Sequence, residues 1–385
     1  MKAMPNQDTV REATRLTRAG QLAEATALLQ RMLREPPIID AKANTVEGPD
    51  DPHPARAPSA QPPMLRSLLD RAQLRSGFGL RDGIKRARPS TRDIVPEGAR
   101  FIEGTYSNPA GSRAYRIFIP SRYQEGQPIP LVVMLHGCTQ SPDDFAAGTR
   151  MNFIAEEQMC FVAYPAQRSE ANQAKCWNWF RATDQQRGRG EPSLIAGITR
   201  QIMRDYSVDP KRVYVGGLSA GAAAAAIMGA TYTDLYAAIG VHSGLACGAA
   251  IDLPSAFVAM RQGPVSDDRG IPGDGQPVPT IVFHGDGDTT VHPNNGDQIL
   301  EQFVRTTNTQ KKVHRGRVPD GHAYTRTIHT DTTGRGIFEH WNIHGAGHAW
   351  SGGCPAGSYT DPRGPDATRE MLRFFLEHSL PRQPG

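Results

Sequence analysis

The sequence contains no uninterrupted apolar run of about 18 residues, so no membrane-spanning helix is expected. A secretory leader is not expected either. Met1 to Ala19 carries Asp8, Arg11, Glu12, Arg15 and Arg18 where an apolar h-region would stand, which gives a cytoplasmic expectation. Cysteine is scarce: Cys138, Cys160, Cys176, Cys247 and Cys354 are too scattered for a disulfide scaffold and lack C-x-x-C metal spacing. Five ordinary thiols, or one or two bridges among Cys138, Cys176, Cys247 and Cys354, both remain open. No H-E-x-x-H occurs, which argues against a zinc hydrolase. The net charge is only +4, and its basic excess lies in the first 100 residues. The rest is close to neutral and has no basic stripe, so no nucleic-acid partner is expected.

What is abundant is Gly and Pro, 39 and 31 residues, which points to long loops and linkers in a chain whose apolar content is 38%. Residues 7–35 repeat apolar positions at three- and four-residue steps (Val10, Ala13, Leu16, then Leu22, Ala25, Leu28, Leu29, Met32), interrupted at Gly20. This predicts a helical pair as an appendage over 1–35. Residues 36–63 read as a Pro-rich linker, and 64–75 as a short helix. The basic stretch from Arg66 to Arg92 reads as a solvated linker, with contact to an acidic surface as the minority reading. The linker region thus runs over 36–100, and the main domain over 101–385.

From residue 101 the pattern changes. Phe101–Tyr106 and Arg113–Ile119 read as two paired strands around Asn108-Pro109-Ala110-Gly111. Apolar runs then alternate with helix-length segments: Leu131–Leu135, Cys160–Tyr164, Val213–Val215, Ala237–Val241, Thr280–Phe283 and Phe338–Ile343. Such alternation predicts an α/β fold with a mostly parallel, eight-stranded sheet flanked by helices. A closing helix is expected from Pro365 to His378. The Gly/Pro-rich stretch from Arg261 to Pro279 reads as a substrate-entrance flap.

The chemistry centres on Gly217-Leu218-Ser219-Ala220-Gly221, set between the strand Arg212–Val215 and the Ala-rich stretch Ala222–Ala226. This is the strand–turn–helix context that a G-x-S-x-G nucleophile needs, and it points to the α/β-hydrolase fold. The turn lifts the hydroxyl of Ser219 off the sheet, while the helix N-terminus faces developing negative charge. A serine hydroxyl also needs a base, and the base needs an orienting acid. Downstream, His284-Gly285-Asp286-Gly287-Asp288 supplies Asp288 as the acid, with Asp286 as the alternative. The segment His344-Gly345-Ala346-Gly347-His348 supplies His348 as the base, with His344 as the alternative. His136, His242 and His284 stand at other strand ends and read as hydrogen-bonding supports. The strand Leu131–Leu135 runs into His136-Gly137-Cys138, so the N–H groups of Cys138 and Ala220 are the expected oxyanion donors.

Five segments in order, Leu135–Gln140 (LHGCTQ), Cys176–Phe180 (CWNWF), Gly217–Gly221 (GLSAG), Val241–Leu245 (VHSGL) and Gly347–Gly353 (GHAWSGG), together resemble the polyhydroxybutyrate-depolymerase-type esterases, relatives of the feruloyl and acetylxylan esterases. The resemblance covers about residues 100–380. It implies Ser219, Asp288 and His348 as the triad of a serine ester hydrolase and an ester, polymer or oligomer, as substrate. It further implies contacts near the substrate from Trp177, Trp179 and Trp350, and His136, at its strand end, is also expected there. No metal or organic cofactor is implied. Export is common in the family and competes with the cytoplasmic expectation. Feruloyl or acetyl esters of polysaccharide are the second substrate class. An inactive scaffold or granule-binding protein held through residues 1–92 is the alternative of another kind.

Overall fold

A computed structural model describes residues 89–263, 278–304 and 307–381. The chain divides into two units, Met1–Ser67 and Leu68–Gly385, and every described residue belongs to the second. The expected helical pair over 7–35, the linker up to residue 88 and most of the expected flap (264–277) lie outside the described residues.

Buried apolar runs become strands covered on both faces. In β3 (Ile129–Leu135) every residue is buried. Alternation sends Leu131, Val133 and Leu135 into one core and Val132 and Met134 into the other. The first core is roofed by α3 (Gly190–Asp205), α4 (Ala220–Thr231), α5 (Leu253–Gln262) and α6 (Asn294–Val304). The second is roofed by α1 (Pro142–Thr149), α2 (Met151–Gln158) and α7 (Ala367–Leu376). Helix α4 is buried almost all round, which its run of alanines permits: small side chains let it lie close to the sheet. Helix α7 starts where the Asp366 carboxylate caps the Arg369 N–H, two residues inside the expected span. Among the described residues no helix is long and apolar enough to cross a membrane.

The other strands of this sheet are β1 (Arg100–Asn108), β2 (Gly111–Ile119), β4 (Phe161–Pro165), β5 (Val208–Leu218), β6 (Ala238–His242), β7 (Thr280–Gly285), β8 (Gln310–Arg317), β9 (Ala323–Thr330) and β10 (Gly336–Ile343). Their order is β1-β2-β4-β3-β5-β6-β7-β10-β9-β8. The six from β4 to β10 are parallel, and β1, β2, β9 and β8 add antiparallel margins. Among the described residues the sheet therefore has ten strands rather than eight. The two extra ones escape a hydrophobic reading because β8 is exposed along nearly its whole length and carries Lys311, Lys312, Arg315 and Arg317. Charged residues on an edge strand protect it from pairing with other chains. Because β5, β7 and β10 run parallel, their carboxyl ends open on one edge of the sheet. Ser219, Asp288 and His348 all follow those ends.

Candidate active site

Ser219 sits between β5 and α4 at φ 58° and ψ −121°, a strained conformation for a residue with a Cβ. Its N–H donates to the main-chain oxygen of His242 at 2.9 Å, and its side chain is partly exposed. The flanking glycines are required by contact. A Cβ on Gly221 would lie 2.1 Å from the carbonyl oxygen of Leu135 and 2.6 Å from that of His136, and one on Gly217 would strike Gly221. The start of α4 thus rests directly on the end of β3. Gly221→Ala is expected to cost at least about 3 kcal/mol, since both clashes are with backbone that cannot turn aside. Thermal unfolding and an ester-hydrolysis assay check this; wild-type melting and turnover in the variant would refute it.

The residues expected as acid and base form a buried pair. His348 Nδ1 meets Asp288 Oδ2 at 2.7 Å, with 13% of the imidazole and none of the carboxylate exposed. The other carboxylate oxygen of Asp288 accepts the N–H groups of Thr290 and Val291 at 2.8 and 2.9 Å. Burial by itself would raise the Asp288 carboxyl. The charge of His348 and the hydrogen bonds of His284 and His348 outweigh it and hold the group well below the usual carboxylate range. His284, with its Nε2 donating to Val291 O at 2.9 Å and lying 3.5 Å from Asp288 Oδ2, is the support expected of it. With Nδ1–H donated to Asp288, Nε2 of His348 is the nitrogen left to act as a base.

The two alternatives meet each other. His344 Nδ1 lies 2.8 Å from Asp286 Oδ2, in a pair that is 42% and 40% exposed. Gly345 N–H donates to Asp286 Oδ1, Asp286 N–H to Ile343 O, and Gly287 N–H to Ala346 O. The outer pair therefore ties together the two loops that carry the inner one. His344 Nε2 is bound to Thr325 Oγ1 at 2.9 Å, so the outer imidazole has no nitrogen free for a nucleophile.

Cys138 is bridged to Cys176, whereas Cys160, Cys247 and Cys354 are free thiols. The bridge fastens the loop after β3 to the 172–178 segment, as does the bond from Thr139 N–H to Ala174 O at 2.6 Å. Gly137 N–H is taken by Gln140 Oε1. The Ala220 N–H opens α4, where a helix offers it no acceptor of its own.

Four residues expected near the substrate are placed differently. Trp177 is fully buried and donates its indole N–H to His136 O at 3.1 Å. His136 is 1% exposed, its Nε2 accepts Gln167 N–H, and burial pushes its pKa down to about 4. Trp350 is 1% exposed, with its indole N–H on Thr368 and its ring stacked on His242. Trp179 is buried in the same core as Trp177, edge-on to Phe180. These residues hold the site from behind, because their ring surfaces are spent on packing. Missed from sequence is a polar layer beneath them: Glu191 accepts from Gln167, Asn178 N–H and Asn178 Nδ2, with Arg113 3.5 Å away. A lone glutamate within a helical pattern gives no signal of such burial.

A family model described as "Esterase PHB depolymerase" matches residues 114–317. The poly(3-hydroxyalkanoate) depolymerase C of Paucimonas lemoignei is 33% identical over 228 residues, 57% of this chain and 54% of that protein, so the chain spans about half its length. Acetylxylan esterase A of Aspergillus oryzae is 26% identical over 241 residues, 57% of this chain and 75% of that protein. Among solved structures, an acetyl xylan esterase from Aspergillus awamori superposes with a TM-score of 0.57 at 20% identity, covering 72% of this chain and 99% of that one. That likeness shows a shared fold.

Proposed function

The chain belongs to the PHB depolymerase esterase family, and from that premise we propose that it is a serine-dependent carboxylic ester hydrolase acting on 3-hydroxyalkanoate esters, as oligomer or polymer. The observation that carries the reading is the buried Asp288–His348 pair at the same sheet edge as the strained turn of Ser219. His348 Nε2 takes the proton of Ser219 as its oxygen attacks the ester carbonyl. Asp288 fixes the tautomer and stabilises the imidazolium. The N–H groups of Cys138 and Ala220 receive the developing oxyanion, each worth about 3 kcal/mol of barrier. The alcohol leaves with the proton returned by His348, and water then hydrolyses the acyl-enzyme through the same base. The Cys138–Cys176 bridge supports export to an oxidising compartment over a cytoplasmic location.

Esters of polysaccharide are the second reading, favoured by the acetylxylan esterase relatives and the superposed solved structure. Side-by-side turnover of hydroxybutyrate trimer, an acetylated xylo-oligosaccharide and methyl ferulate separates them. The trimer is expected to give the highest kcat/KM. A higher value on either of the other two replaces the first reading by the second, and no turnover of any ester removes both.

A further inference from the structure

His242 ends β6, next to the nucleophile turn in register, since Leu218 pairs with His242. Its main-chain oxygen accepts the N–H of Ser219 at 2.9 Å. Its ring does a second job: Nε2 accepts the N–H of Ser351 at 2.9 Å, three residues beyond His348. A backbone N–H can only donate, so this nitrogen must be bare and the ring neutral, with its proton on Nδ1 facing Ser243 Oγ at 3.2 Å. The surroundings agree. The ring is 1% exposed and lies between Phe283 at 5.7 Å and Trp350 at 4.9 Å, both stacked. Burial first, and then the charges of His284 and His348, push its pKa down to about 3. One residue thus fastens the nucleophile's backbone with its main chain and the histidine loop with its side chain.

We propose that His242 is a positioning residue for ester hydrolysis, whose bare Nε2 sets the distance between the Ser219 turn and the loop that carries His348. The inference rests on the reading of Ser219 and His348 as nucleophile and base. The loop bond acts on proton transfer between those two groups, not on substrate contact, because His242 lies behind the site. Losing it should lower kcat and leave KM nearly unchanged. A misplacement of about 1 Å costs on the order of 100-fold in rate.

Two contributions of the ring, acceptor and stack, are separable by substitution. His242→Phe keeps an aromatic ring between Phe283 and Trp350 and removes the acceptor. His242→Gln removes the ring and offers an amide oxygen near the position of Nε2. If the bond to Ser351 matters, His242→Gln retains kcat within about fivefold, while His242→Phe loses about 10- to 100-fold at unchanged KM for p-nitrophenyl butyrate. If only packing matters, the order reverses, and the proposal is overturned. Should His242→Phe fail to fold, His242→Asn replaces it: its shorter amide cannot reach Ser351 N–H, so Gln above Asn in kcat supports the proposal and equal loss overturns it. Ser219→Ala, assayed alongside, separates the two levels. Activity surviving in that variant ends the reading of the site itself, whereas an inactive Ser219→Ala with the reversed order ends only the role of His242.

Discussion

Ser219→Ala is expected to lower kcat on p-nitrophenyl butyrate by about 10⁴-fold or more while leaving the fold intact. Under the proposed mechanism the substitution removes the one atom that forms the acyl bond. It leaves the proposed oxyanion donors, the Asp288–His348 pair and the elbow backbone in place. Alanine at φ 58° bears the same Cβ strain as serine, so the melting temperature should change little. The residual rate should be that of a site that still stabilises the oxyanion without covalent chemistry. Purified variant and wild type compared in one assay, with circular dichroism as the folding control, decide the matter. Retention of more than a few per cent of turnover in a folded variant would sink the triad.

Lowering the pH from 7.5 to 5 is expected to remove several kcal/mol of stability while Asp288 stays ionised. His136, His242 and His340 are held neutral by burial, with pKa values pushed down to about 4, 3 and 3. An unfolded histidine takes its proton near pH 6.5. Above that value neither state is protonated and stability is flat. Below it only the unfolded chain binds the proton, so stability falls by about 1.4 kcal/mol per pH unit for each buried imidazole, until its folded pKa is reached. At pH 5 each of the three costs about 2 kcal/mol, or about 6 together. Asp288 acts in a lower window. Its folded pKa lies below the unfolded one, so its contribution is complete above about pH 4 and is lost as the pH falls further. Urea unfolding at the two pH values measures the difference. Equal midpoints would show that the three imidazoles are not the buried neutral groups that their surroundings require.

Much of the candidate site's geometry was legible in advance, and the exceptions have distinct causes. The elbow at Ser219 announced itself because a strand, a glycine-flanked serine and an alanine-rich helix form one short, local pattern. The proposed acid and base were harder to single out, since Asp286 and Asp288, like His344 and His348, stand a few residues apart in loops with the same chemistry. The loops sort them by depth: the pair that reaches under the surface is Asp288 and His348, and the exposed pair staples the loops together. The tryptophans misled because an indole reads the same in a motif whether it faces substrate or core. Trp177 and Trp350 face the core. Strands β8 and β9 were overlooked because a sheet margin in water needs no apolar alternation.

The sequence by itself determined the leading hairpin, the six parallel strands in chain order and the strained turn at Ser219, because hydrophobic period, helix propensity and glycine sterics act over a few neighbouring residues. Only the tertiary structure decided that Asp288 meets His348 across 60 residues, that Asp286 meets His344 across 58, and that Cys138 joins Cys176 across 38. Each of those pairings is set by which parallel strands lie side by side and how deep their loops sink. That depends on packing of the whole sheet between its two helical layers, and no short stretch of chain encodes it.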